Sequence, residues 1–171
     1  YQNMPTSLLY GHLYFNCPNN LICIAGYDDS VQVISYPNIN LSASVSFQSV
    51  NATVDLNCDS IADMKFTVHK GASAIDLPNT AYLTVLNPDF LIHADTFFNY
   101  LTVTYFNYGD TINYPDTGFW YNDTIYTLGN YGCVDCFGPS DITDKFIGFR
   151  NSSINQTGWI KISFDLSDNG V

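Results

Sequence analysis

Apolar and polar residues alternate between Leu41 and Cys58. Leu41, Ala43, Val45 and Phe47 alternate with Ser42, Ser44, Ser46 and Gln48; the phase then reverses, and Val50, Ala52, Val54, Leu56 and Cys58 alternate with Asn51, Thr53, Asp55 and Asn57. Successive strand residues point to opposite faces, so this pattern predicts strand with one buried and one wet face. The reversal at Gln48–Ser49 predicts a bulge or a tight turn, because a one-residue slip swaps the faces. Trp159–Leu166 repeats the pattern, with Ile160, Ile162, Phe164 and Leu166 inward and Lys161, Ser163 and Asp165 outward. Further strands are expected at Leu9–Phe15, Val31–Ser35, Met64–His69, Ala81–Leu86, Phe97–Phe106, Phe119–Leu128 and Phe146–Phe149. Turn-forming residues separate many of them, as in Asn87-Pro-Asp89, Tyr108-Gly-Asp110 and Gly138-Pro-Ser-Asp141. Asp59–Met64 and Ser140–Lys145 have room for one helical turn each. Many short punctuated strands predict an all-β fold, an antiparallel β-sandwich of two packed sheets with little or no helix. Its expected core holds Val45, Phe47, Val54, Leu56, Leu101, Val103, Ile160, Ile162 and Phe164.

Composition supports strands over helices. All sixteen acidic residues are Asp, and Lys and Arg together number five. Glu, Lys and Arg are the usual dressing of exposed helix faces, so little of it is available. The 13 Tyr and 12 Phe suit pleated, half-buried surfaces instead. At 171 residues and 46% hydrophobic, the chain fits one domain, 1–171, able to bury a core. A net charge of −11 argues against binding nucleic acid or anionic lipid, since neither phosphate array would be neutralised. No apolar run approaches the roughly 18 residues that span a bilayer, so this segment is not expected to insert in a membrane. The chain opens on Tyr1 without Met or a basic leader, as expected of a mature or excised segment.

Asn-x-Ser/Thr occurs at Asn40, Asn51, Asn122, Asn151 and Asn155, never with Pro in the middle. Asn51 falls on the wet face of its strand, as glycosylation requires. The expectation is a secreted, N-glycosylated protein. Five cysteines, Cys17, Cys23, Cys58, Cys133 and Cys136, leave an odd thiol, and spacing alone does not fix the pairing. Cys17 and Cys23 enclose a hairpin-sized loop, and Cys133-Val-Asp-Cys136 has C-x-x-C spacing. A redox motif would want a helix N-terminus and zinc a second ligand pair. Structural disulfides among Cys17, Cys23, Cys133 and Cys136 are the simpler reading.

Catalytic signatures are sparse. There is no G-x-S-x-G elbow, phosphate loop or dinucleotide fingerprint. No catalytic residue, cofactor or metal is expected. Asp135, Asp141 and Asp144 share a loop-rich segment with oxygen ligands that suit calcium, but turn-forming surface Asp explains them as well. The best recognition segment is Tyr114-Pro-Asp-Thr-Gly-Phe-Trp-Tyr-Asn-Asp123, with Tyr114, Asp116 and Trp120 as binding candidates. Aromatic faces stack on sugars or apolar ligands while Asp and Asn supply directional hydrogen bonds. If Asn122 faces out, period two sends Trp120 out with it and Phe119 and Tyr121 inward.

Cys133-Val-Asp-Cys136-Phe-Gly138, Phe146, Trp159-Ile-Lys-Ile-Ser163 and Asp168-Asn-Gly-Val171 resemble the end of the amino-terminal domain of alphacoronavirus spike glycoproteins. The resemblance runs from Cys133 to Val171 with gaps. It implies a galectin-like β-sandwich that binds host glycan or protein. Gly138-Pro-Ser-Asp-Ile142, Phe146-Ile-Gly-Phe149 and Gly158-Trp-Ile-Lys-Ile162 are also similar to the closing strands of CUB modules. The expected function is therefore a non-enzymatic extracellular recognition domain of a virion or cell surface, with a glycan or protein receptor as partner. The alternative is a structural subunit that binds copies of itself in an extracellular filament or sheath, Leu8–Phe15 adding to a neighbour's sheet.

Overall fold

The computed structural model describes residues 6–17, 22–25, 39–57, 59–72, 78–97, 100–113, 119–132 and 137–167. They form strands and turns and no helix. The strands are β1 (Thr6–Cys17), β2 (Ile22–Ile24), β3 (Ile39–Ala43), β4 (Ser49–Val54), β5 (Met64–His69), β6 (Asn79–Val85) and β7 (Phe90–Phe97). They continue with β8 (Tyr100–Val103), β9 (Tyr105–Phe106), β10 (Thr111–Asn113), β11 (Trp120–Tyr121), β12 (Ile125–Tyr131), β13 (Asp141–Asn151) and β14 (Gln156–Asp165).

The pairings run without a break in the order β3-β1-β14-β13-β7-β8-β12-β6-β5-β4, with β11 on β7 and β9 on β13; β2 and β10 pair separately. All are antiparallel except β8–β12, which meet in parallel at Thr102 and Thr127. The result is one curled, mixed sheet, where the sequence predicted two separate antiparallel ones. Curling lets one face bury itself. Ile147, Ile160, Ile162 and Phe164 of β13–β14 join Phe66, Leu83 and Leu128 of β5, β6 and β12 in a single cluster. A fully buried side chain of this size contributes on the order of 1.5–3 kcal/mol. The first and last strands of the path, β3 and β4, are joined directly through residues 44–48, which brings the two ends of the sheet together.

That connection is the turn predicted at the phase reversal. The Gln48 amide donates to the Val45 carbonyl at 3.0 Å, and the Gln48 Oε1 accepts from the Ser44 and Val45 amides. The turn corrects the expected core. Val45 and Phe47 are 64% and 63% exposed, and Phe47 holds a left-handed φ of 66°. Leu101 is only half-buried. Val54, Leu56, Val103, Ile160, Ile162 and Phe164 are buried as expected. Asp59–Ile61 is bend, and 140–145 runs into β13, so neither candidate helical turn forms. Val31–Ser35 lies outside the described residues.

Strand β7 was absent from the sequence reading because it does not alternate. Phe90, Ile92 and Ala94 enter the main core, while the intervening His93 is buried on the opposite face. That opposite face carries a second cluster, Ala25, Ile112, Phe146 and Trp159, with Phe106 and Trp120 packed against it. A strand covered on both faces reads as a continuous apolar run. Gly148 permits the cover: a Cβ there would lie 3.0 Å from Ile112 Cγ2 and 3.3 Å from His93 Cβ.

One buried carboxyl ties the loops together. Asp63, fully buried, accepts from the Leu56 amide at 2.6 Å and the Asn57 amide at 3.2 Å through Oδ2, and from Asn87 Nδ2 at 2.6 Å through Oδ1. Its own carbonyl accepts from the Leu86 and Asn87 amides. The β4–β5 connection and the β6–β7 turn are thereby fastened to one residue.

Candidate functional site

The outer face of β6, β12 and β8 carries a groove. On β6, Ala81, Leu83 and Val85 enter the core, so Thr80, Tyr82 and Thr84 belong to the other face. On β12, Tyr126 and Leu128 point in and Ile125 and Thr127 point out. Register aligns Tyr82 with Thr127, Thr127 with Thr102, and Thr102 with Asp95. The groove has a volume of about 440 Å³, and its lining includes Thr80, Tyr82, Tyr100, Asp123, Asn130 and Phe137. A smaller hollow of about 290 Å³, lined by Asp95, Thr96, Thr102, Phe137 and Gly138, lies on the other side of Phe137.

Two local structures hold the walls. The first is the 137–139 segment crossing β12. Gly138 has φ +99°, and a Cβ on it would come within 3.1 Å of Gly129 Cα. A Cβ on Gly129 would collide with the Pro139 carbonyl oxygen and the Phe164 ring. The pairing of β12 with β6 shifts register between Thr127 and Gly129 to accommodate the crossing. The Asn130 amide donates to the Pro139 carbonyl at 3.1 Å, and Asn130 Nδ2 donates to the Phe137 carbonyl. These contacts fix the Phe137 backbone, and the Phe137 ring centroid lies 5.9 Å from that of Tyr100.

The second is the turn from β11 to β12. The Tyr126 hydroxyl donates to the Tyr121 carbonyl at 2.6 Å and accepts from the Asp123 amide at 2.8 Å. Burial pushes the Tyr126 phenol up to about 12. Nearby, the Tyr105 hydroxyl donates to the Leu128 carbonyl at 2.5 Å, and burial raises its pKa too. The turn sets Asp123 in the groove wall and leaves Asn122 exposed beside it.

Thr80 stands apart within the groove. It is 3% exposed, yet its Oγ1 has no hydrogen-bond partner among the described residues. Thr102 Oγ1, lining the smaller hollow, is in the same condition. A buried hydroxyl without a partner costs about 1–3 kcal/mol, so two beside open grooves are informative.

The sequence pointed elsewhere for binding. Tyr114 and Asp116 lie outside the described residues. Trp120 is half-buried, and its ring meets that of His93 edge-on at 5.2 Å. Phe119, expected inside, is 38% exposed and stacks on His93 at 5.4 Å. Tyr121 is half-buried against the main core. The half-buried Trp120 thus packs against the second cluster. The groove residues were overlooked, although the alternation in Ala81–Leu86 already placed Tyr82 outward.

Among the sequons, Asn51 and Asn122 are exposed and Asn40 lies in β3. Asn155 is exposed at φ 57°, its Oδ1 accepting from Arg150. Asn151 is 3% exposed and accepts from the Ser153 amide and hydroxyl and the Ile154 amide. Cys17 closes β1 and Cys23 lies in β2, while Cys58, Cys133 and Cys136 are outside the described residues. Asp144 bonds Lys161 at 2.7 Å, and Asp141 accepts from the Ser140 hydroxyl, so the two carboxyls have separate partners. Among the described residues no three metal-ligating side chains gather. Among the described residues no helix is long and apolar enough to cross a membrane. No protein-family model, curated protein or solved structure matches the chain.

Proposed function

We propose that the chain is a non-enzymatic, N-glycosylated extracellular recognition domain, and that it engages its receptor, glycan or protein, at the groove of Tyr82, Tyr100 and Phe137. The observation that carries this reading is a rigidly walled aromatic groove with Asp123, Asn130 and Thr80 among its polar groups. Aromatic faces combined with a few directed polar groups are the usual chemistry of a small recognition site. The exposed Asn51 belongs to β4, two strands from β6, and Asn122 stands at the groove wall, so attached sugars would frame this surface. The two halves of the curled sheet face each other across one core, which favours a sandwich-like platform of the kind the spike resemblance implies. The test is attachment of the purified, secreted chain to cells and to arrayed glycans, compared with Tyr100→Ala. Tyr100 is 59% exposed, so the fold should survive the change. Equal attachment by both proteins would refute the groove as the site.

A second reading, self-assembly, is favoured by Val45 and Phe47, which project together from one turn. Strand addition through Leu8–Phe15 is left only Gly11–Phe15, which the described pairings join to β14 alone. Strand β1 is paired with β14 along its length and with β3 over Thr6–Tyr10, so its first half has no open edge. Light scattering of the native chain and of Phe47→Ser distinguishes the two. Concentration-dependent polymers lost in the variant would favour assembly.

A further inference from the structure

Resting on the groove being the recognition site, we infer that it takes a neutral oligosaccharide laid across Phe137, with units in both hollows. Three observations converge. First, the larger groove presents Tyr82, Tyr100 and Phe137, while Phe137 is shared with the smaller hollow. One ring bordering two adjoining hollows suits a chain of flat-faced units better than a single compact ligand. Second, each hollow has its own buried hydroxyl lacking a partner, Thr80 in one and Thr102 in the other. Each also has a carboxyl, Asp123 and Asp95 respectively. A ligand that donates and accepts hydrogen bonds at every unit would satisfy both hydroxyls, and sugar hydroxyls do so. Third, the charge excludes acidic sugars. Among the described residues no Lys, Arg or His lines either hollow; Lys65 and His69 stand one strand further out on β5. Two Asp carboxyls and a chain charge of −11 would repel sialate, sulfate or uronate.

Calorimetric titration of the intact secreted chain, with its own N-glycans enzymatically removed, decides the matter. The probes are unsubstituted hexose and N-acetylhexosamine oligomers of one to four units and their sialylated or sulfated counterparts. Affinity should rise at least tenfold from one unit to three, change little with salt, and be lost on sialylation. Thr80→Val and Tyr100→Ala should each weaken binding of the neutral oligomers at least tenfold. Thr80→Val should also leave the melting temperature unchanged or raised, since it replaces a partnerless buried hydroxyl with a methyl. A purely structural Thr80 would give a lower melting temperature with unchanged affinity, which overturns the assignment. So does a preference for acidic sugars. If every sugar is silent but a purified protein receptor binds in a Tyr100-dependent way, the sugar inference falls and the recognition reading stands. If sugars bind but ignore both substitutions, the groove is wrong for either purpose.

Discussion

Asp63 shows how much one side chain can hold in this fold. Its carboxyl and carbonyl together serve two loops, and nearly all of its partners are backbone amides. Asp63→Ala strands the buried Leu56 amide and should cost about 3 kcal/mol in urea unfolding, given about 1.5–3 kcal/mol for hydrogen bonds to charged groups. Asp63→Asn, which keeps part of the set, should cost less. Tyr126 acts similarly on the turn beside the groove, and its behaviour with pH has a definite sign. Burial favours the neutral phenol in the fold, with a pKa of about 12, while the unfolded chain ionises from pH about 10. Its contribution is fully present below pH 10 and is lost as pH rises through about 12. Tyr105 is raised in the same direction and extends the effect. Alkaline titration followed by tyrosinate absorbance and circular dichroism should show late ionisation coinciding with unfolding. Tyr126→Phe should soften that transition. Neither residue was legible in the sequence, because nothing in a run of Asp and Tyr distinguishes those that meet a distant amide from those that meet water.

At the scale of elements, legibility follows the number of covered faces. Met64–His69 was read to the residue because β5 buries Met64, Phe66 and Val68 and leaves the others half-covered. The strand β7, covered twice, was lost for want of alternation. The Leu41–Gln48 stretch erred the other way: its pattern continued past Ala43, but the backbone turned, and two apolar residues were left outside. That turn is measurable. Phe47 at φ 66° is strained for a residue bearing a Cβ, at about 1–2 kcal/mol. Phe47→Gly relieves the strain at a chain-entropy cost of about 0.5–1 kcal/mol, so a small net gain of about 0.5 kcal/mol is expected from denaturant midpoints. Strand β11 should respond oppositely. Trp120→Ala removes the cover over His93 and should cost about 2 kcal/mol, below the 3–5 kcal/mol of a fully buried Trp, because Trp120 is only half-buried. The candidate site was hidden for a related reason. Its aromatic walls come from β6, β8 and the 137–139 segment, which meet only through the register shift at Gly129.

At the scale of the whole molecule, the described Asp residues other than Asp63 are half-buried or exposed, and the chain carries a net charge of −11. Lys161 is engaged by Asp144, Lys145 donates to Asn107, and Lys70 and Arg150 are buried. Unrelieved repulsion of this kind is screened by salt, so the melting temperature should climb between low and physiological ionic strength. Peptide mass spectrometry of native material should find glycans on Asn51 and Asn122, and on the exposed Asn155 before the buried Asn151. The topology also imposes an order of events. Ser7 pairs with Asp165 and Tyr14 with Trp159, so the first strand finds its long partner only when the last has been made. Until then β1 has β3 alone, and much of its length is an open template for stray strands. Contacts this distant in sequence make folding slow. A variant lacking Gln156–Asp165 keeps that template open and should aggregate, which light scattering would show.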